Sequence, residues 1–163
     1  MPNDWERVHL YASIPEFSQF EVWGPNTVED TKEFVARCIS DTSSDPIISH
    51  QLAVELREDN LLVGGCTLKL EGFGASEGYL GYAINPDYKN RGFATEAAIA
   101  LIEFGFDQLH LVRIHSLCDT RNIASRRVME KAGLQRTALN RNERERKGRM
   151  TDSYCYEIRP PSS

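Results

Sequence analysis

Apolar residues Trp5, Val8, Tyr11, Ile14, Phe17, Phe20 and Trp23 recur every three positions, close to the helical repeat, with Pro15 interrupting the series. The pattern predicts two short helices meeting at residues 13–15. Thr27 is placed to cap the next helix, whose first turn holds Glu29 and Asp30 and whose Phe34, Val35, Cys38 and Ile39 form one stripe. Residues 41–46 read as a loop. Two β-rich runs follow, 52–56 and 61–70, and the polar residues 57–60 between them predict a hairpin. The glycine-rich stretch EGFGASEG separates the second run from a third at 78–84.

Beyond it, Ala98, Leu101, Gly105 and Leu109 lie three and four apart and predict a helix over 95–109, followed by a strand over 112–118. Strand, crossover helix and strand make a parallel βαβ unit of right hand. Asn122 suits the N-cap of a further helix, and Gly133 suits the left-handed position just past its end. Strands near 134–139 and 153–158, joined by a charged loop over 140–150, complete the chain. The expectation is a mixed α/β fold, with antiparallel hairpins around one parallel crossover and no internal repeat.

With 163 residues, the chain is long enough for one sizeable core and short for two. A single domain over 1–163 is expected, divided into a helical region 1–50, a sheet and crossover region 51–134, and C-terminal strands 135–163. No apolar run approaches the ~20 residues that span a bilayer. The start, MPNDWERVHLY, carries acids where an export signal would be basic, so a cytoplasmic location is expected. Cys38, Cys66, Cys118 and Cys155 are far apart with no Cys-x-x-Cys spacing, which favours free thiols over a disulfide or a metal site.

The net charge of −5 conceals an asymmetry: residues 1–60 hold 12 acids and 4 bases, residues 121–163 hold 5 acids and 11 bases. The two ends should prefer ligands of opposite sign. A nucleic-acid partner is not expected, because the basic segment lacks interleaved aromatics and the chain is acidic overall.

The densest chemical signal is NPDYKNRGFATEA, where Pro86 stops a strand and Lys89, Asn90, Arg91, Gly92, Phe93, Ala94 and Thr95 lead into a helix. A helix N-terminus offers unpaired N–H groups and a positive dipole end, and therefore binds phosphate. Gly92 and Ala94 keep bulk away from the backbone, and Lys89 and Arg91 add charge. The chain contains neither G-x-x-x-x-G-K-[ST] nor G-x-G-x-x-G, the loops of nucleoside triphosphatases and dinucleotide enzymes. The residues by themselves point to a diphosphate, or to a generic strand-to-helix turn.

K-x-x-G-x-A after Tyr82, Ala83 and Ile84 resembles the acetyl-CoA signature of the GNAT acetyltransferases, usually [QR]-x-x-G-x-[GA], with Lys89 in the Gln/Arg position. NIASRRVMEKAGL and the terminal DSYCYEI resemble the branch that contains ribosomal-protein N-terminal-alanine and spermidine acetyltransferases. The resemblance spans residues 5–158. It implies acetyl-CoA as co-substrate, a twisted sheet whose two neighbouring parallel strands splay into a V, and an acceptor side walled by the helical region. It implies cofactor contacts at Tyr82, Ala83, Ile84, at Lys89 through Thr95, and at Asn122, Ser125 and Arg127. Asn122, Ser125 and Met129 share one helix face, which should look into the cleft.

Direct attack by an amine requires a neutral nitrogen, a polarised carbonyl and a proton for the departing thiolate. The resemblance puts carbonyl polarisation on a backbone N–H near Ile84. Relatives often supply the proton from a tyrosine where this chain has Met129, so Ser125 is the candidate acid, with ordered water as its rival. Relatives often have a glutamate where this chain has Tyr79, which makes Glu77, two residues earlier on the same strand face, the candidate base; Glu55 is a second candidate. No metal is expected. The acidic N-terminal region implies a cationic amine acceptor, while Arg141, Arg144, Arg146, Lys147 and Arg149 are expected only to solvate a hairpin loop. Family members usually begin with a strand before the first helix. Its absence here implies a sheet short of one edge strand, or one completed by a second copy in a homodimer. Because Met129 and Tyr79 replace the usual proton-transfer groups, a non-catalytic acyl-CoA-binding protein is the alternative to an enzyme.

Overall fold

The computed structural model describes residues 1–72 and 74–161; Phe73, within the glycine-rich stretch, lies outside them. Helix α1, Asp4–Ala12, buries Val8, Tyr11 and Ala12. Helix α2, Val28–Thr42, begins with a reciprocal cap: the Asp30 N–H donates to Thr27 Oγ1 at 3.1 Å, and the Thr27 N–H donates to the Asp30 carboxylate at 2.9 Å. Such a cap stabilises a helix by about 1 kcal/mol. Val8, Tyr11, Ala12, Val35 and Leu62 form a small core beneath the two helices.

The second short helix expected before Trp23 does not form. Residues 13–23 instead make isolated turns, with the Phe17 N–H on the Ile14 carbonyl and the Glu21 N–H on the Ser18 carbonyl. A three-residue apolar period fits successive turns as well as it fits a helix, and Pro15 removes a donor where a helix would need one. The apolar side chains still pack: Phe17 meets Tyr11 edge-on at 5.0 Å and Trp23 at 5.9 Å.

Six strands form one sheet in the order β1-β2-β3-β4-β6-β5. They are β1 Ser49–Glu55, β2 Leu62–Leu70, β3 Glu77–Ile84, β4 Arg113–Asp119, β5 Gln135–Arg146 and β6 Arg149–Ile158. Every neighbouring pair is antiparallel except β3 and β4, which are joined through helix α3, Phe93–Asp107. Helix α4, Ile123–Lys131, follows β4. Strand β1 lies at one edge, and its outer side is unpaired among the described residues.

The main core lies between the sheet and helices α3 and α4, around Leu68, Leu80, Ala98, Leu101, Ile114, Met129 and Tyr156. Helix α3 packs so closely that a Cβ at Gly105 would come within 2.7 Å of the Ile114 side chain. The four cysteines are free thiols. Among the described residues no helix is long and apolar enough to cross a membrane.

The charged stretch expected to be a loop is a hairpin. Arg144 pairs with Thr151 and Arg146 with Arg149 across a tight turn at Lys147 and Gly148, both at positive φ. Its alternation of charged residues has a strand period, so one set of them faces inward.

Candidate active site

Strands β3 and β4 pair over three positions only, Glu77 with Arg113, Gly78 with Ile114 and Tyr79 with His115. Beyond that they separate, although β3 stays paired with β2 out to Ile84 and β4 with β6 out to Asp119. At the vertex the Ser116 hydroxyl donates to the Leu80 carbonyl at 2.8 Å, where the ladder would otherwise continue. The facing edges of the open arms carry backbone groups that an inserted extended ligand can pair with.

Both crossover helices begin at the mouth of this V, and their N-termini differ. Helix α4 is self-capped: Asn122 Oδ1 accepts the Ser125 N–H at 3.1 Å. Helix α3 starts at Gly92 with no side-chain cap, so its first N–H groups stay available to an anion. Gly92 has φ +90°, which favours glycine, and nothing lies within 4 Å of where a Cβ would point. Asn90 is also left-handed, at φ 62°. Lys89 and Arg91 are exposed beside this turn, Lys89 Nζ 6.0 Å from the Phe17 ring and Arg91 5.3 Å from the Tyr88 ring. An open, uncapped helix start flanked by two cations fits a diphosphate.

On α4, Ser125 is half-buried and meets Tyr82 of β3. The phenol donates to the Ser125 carbonyl at 2.9 Å and lies 3.0 Å from Ser125 Oγ. Since the phenol has one proton, the serine hydroxyl is the donor in the second contact. Burial raises the Tyr82 pKa, with the Ser125 hydrogen bond acting the other way, so the phenol stays protonated. Met129 was expected in the cleft but is fully buried in the main core. One turn beyond Ser125 the helix face has already rolled under the sheet. Arg126 stacks on the Tyr154 ring at 5.0 Å, while Arg127 is exposed.

Ser125 and Asn122 border a small pocket, joined there by Glu21 from the turns after α1, Tyr79 of β3, Asp119 of β4, and Arg144 and Arg146 of β5. Burial raises the Glu21 pKa above the ordinary carboxylate value, and Arg146, Arg144 and Lys147 partly offset it. Burial likewise raises the Tyr79 phenol. Asp119, 1% exposed, accepts the Arg121 Nε and Nη2 groups at 2.8 Å each, which holds its carboxyl below the usual range.

The sequence of residues 1–135 matches the family model described as an acetyltransferase (GNAT) domain. The chain belongs to the GNAT acetyltransferase family. The family's activity is acetyl-CoA-dependent N-acetyl transfer. An N-acetyltransferase of Bacillus subtilis strain 168 named YnaD is 33% identical over 156 residues, 96% of this chain and 88% of that protein. A GNAT-family acetyltransferase from Bacillus anthracis superposes with a TM-score of 0.86 at 33% identity, over 98% of this chain and 90% of that one. A spermidine N-acetyltransferase from Vibrio cholerae, solved with CoA and spermine, shares the fold with a TM-score of 0.80 at 18% identity, over 96% and 89%.

Within this GNAT domain the expected site residues fall into two groups. Tyr82, Ala83, Ile84, the turn from Lys89 to Thr95, Asn122 and Ser125 lie at the open end of the V, and Arg127 is exposed on α4. Glu77 is at the closed end, its carboxylate held by Arg113, which also reaches Glu157 at 3.3 Å. The Arg113 hydrogen bond lowers the Glu77 pKa. Five residues of strand separate Glu77 from Tyr82, about 16 Å at ~3.3 Å per residue, far outside the ~3 Å that proton transfer needs. The structure therefore does not bring Glu77 to Ser125. Glu55 lies exposed at the end of β1 and does not border the pocket. Sequence reasoning missed Glu21, which has no local signal, and it read Arg144 and Arg146 as solvated. The period-two spacing of these arginines before a Lys-Gly turn was the signal for a hairpin strand with an inward face.

Proposed function

We propose that this GNAT domain holds acetyl-CoA along the open arms of β3 and β4 and transfers its acetyl group directly to a primary amine in a ternary complex. The acceptor class comprises protein N-termini, polyamines and other small amines. The observation that carries the reading is the early end of the β3–β4 ladder beside an uncapped α3 N-terminus. A polar pocket with one half-buried carboxylate adjoins the end of that ladder, at Tyr79 and Leu117.

In this reading the backbone of Tyr82, Ala83 and Ile84 pairs with the pantetheine arm, and the N–H groups at Gly92 through Thr95 bind the diphosphate with Lys89 and Arg91 beside them. The exposed Arg127 is suited to the ribose phosphate, and Asn122 fixes the start of α4. Bound acetyl-CoA supplies a thioester acyl group activated towards amines. Glu21 takes the proton from the acceptor ammonium; its raised pKa makes it a better base than an ordinary carboxylate. Ser125 Oγ, whose hydroxyl is oriented by donating to the Tyr82 phenol oxygen, gives its proton to the departing sulfur and recovers one from solvent.

Support for a catalytic over a purely binding role comes from Tyr82. Of the two residues that argued for the latter, Met129 is a core side chain and Tyr79 lines the pocket beside Glu21, while a phenol is present at Ser125 from another element. The test combines calorimetric binding of acetyl-CoA with thiol release across amines, amino acids, peptides and polyamines. Binding together with amine-dependent thiol release is the expected result. Tight binding without release on any acceptor would leave only the binding protein.

A further inference from the structure

The pocket beside Ser125 carries charges of both signs. Arg146 is 6% exposed and borders the pocket, yet its Nε has no hydrogen-bond partner. Its Nη1 donates to Thr151 Oγ1 and its Nη2 to Ser153 Oγ at 3.3 Å, both neutral hydroxyls. The nearest carboxylate, Asp119, forms only a loose ion pair with Arg146 Nη1 at 3.7 Å, while it accepts three shorter hydrogen bonds from Arg121. A buried guanidinium with an unpartnered Nε and only a loose ion pair keeps a donor and a positive field that an anion can satisfy. Arg144 borders the same pocket, and Glu21 enters it from the turns after α1. Among the described residues Glu21 forms no salt bridge to either arginine.

From this arrangement we infer that the acceptor is a small zwitterion, an α-amino acid, with its ammonium towards Glu21 and Ser125 and its carboxylate on Arg144 and Arg146. The inference rests on the proposed transfer reaction and narrows its acceptor. A polyamine is disfavoured, because each additional ammonium would approach two guanidinium groups with no second unpaired carboxylate to receive it.

The test is a matched series on the whole chain with saturating acetyl-CoA, reading thiol release: L-leucine, L-leucinamide, isopentylamine and spermidine, with the phenylalanine counterparts in parallel. Losing a charge-assisted hydrogen bond to a buried arginine costs on the order of tenfold to a hundredfold. The amino acids should therefore exceed their amides and decarboxylated partners by at least about tenfold in kcat/KM. Arg144→Gln should raise the KM for L-leucine by about tenfold while leaving the KM for acetyl-CoA within about twofold. Because Arg146→Gln removes a buried hydrogen-bonded side chain and can unfold the hairpin, Arg144→Gln carries the mutational arm. Amides, isopentylamine or spermidine used as well as the amino acids would overturn the inference and leave N-acetyl transfer intact. No release with any amine would overturn both.

Discussion

The two sides of the V are built from different materials. The side that fits acetyl-CoA is mostly backbone: unpaired strand edges and the open N-terminus of α3, with Gly92 keeping the approach clear. The acceptor side is mostly side chains, with Glu21, Tyr79, Arg144 and Arg146 arriving from three separate segments and meeting only in the folded chain. A backbone site tolerates most side-chain changes and fails when backbone conformation or access is altered. A site made of buried charges fails when a single atom is replaced.

The sharpest way to test this contrast is Glu21→Gln, an isosteric change on the acceptor side. Loss of a general base should lower kcat/KM by about a hundredfold to a thousandfold, with acetyl-CoA affinity unchanged. Because the Glu21 pKa is raised, activity of the native protein should climb as pH rises through a limb above the ordinary carboxylate range. Glu21→Gln should remove that limb and keep the one due to the amine. The groups facing Glu21 that tune the limb are Arg144, Arg146, Lys147 and Tyr79.

On the other side, Gly92→Val puts a β-branched residue at φ +90° and a side chain into the open approach. Acetyl-CoA affinity should fall by about fiftyfold, read by calorimetry, with a smaller effect on acceptor KM. Lys89→Ala and Arg91→Ala should each cost only a few-fold, since exposed charges contribute little. An equal loss from all three would break the backbone picture.

Ser125→Ala and Tyr82→Phe lie on the boundary between the two sides. Each should lower kcat by roughly tenfold and leave both KM values near native, and the double variant should be less than additive because the two hydroxyls share one hydrogen bond.

The smallest effect is expected at Glu77, at the closed end. Glu77→Gln should change kcat/KM by less than about twofold and cost little stability, because its ion pair is partly solvent-exposed. The folded pKa of Glu77 is lowered, so the pair stabilises the fold fully above the unfolded value of ~4.3 and loses that contribution as pH falls below it. The stability difference between native protein and variant should shrink on acidification.

The parts legible in the sequence were those encoded locally. The stop at Pro86, the glycine at the start of α3, the Asn122 cap and the Gly133 turn are each specified within a few residues, and they fixed the crossover and its uncapped helix start. The acceptor pocket was hidden because it is nonlocal. Glu21 sits in a stretch whose apolar period mimics a helix, and the arginines of β5 alternate with other charged residues that resemble a solvated loop. Met129 was misplaced for a related reason: spacing puts it on the face of Ser125, but only the sheet beneath α4 decides where cleft ends and core begins. Tyr82 was legible as a residue of the strand before the glycine turn, whereas its hydroxyl bond to Ser125 bridges 43 positions of chain.

The most direct test of the account is an amide NMR titration with acetyl-CoA. The account predicts the largest shifts at the N–H groups of Gly92, Phe93, Ala94 and Thr95 and of Tyr82, Ala83 and Ile84, with the amides of Glu77 and Arg113 near their free positions. Saturable binding that leaves the Gly92 to Thr95 amides unmoved would contradict it.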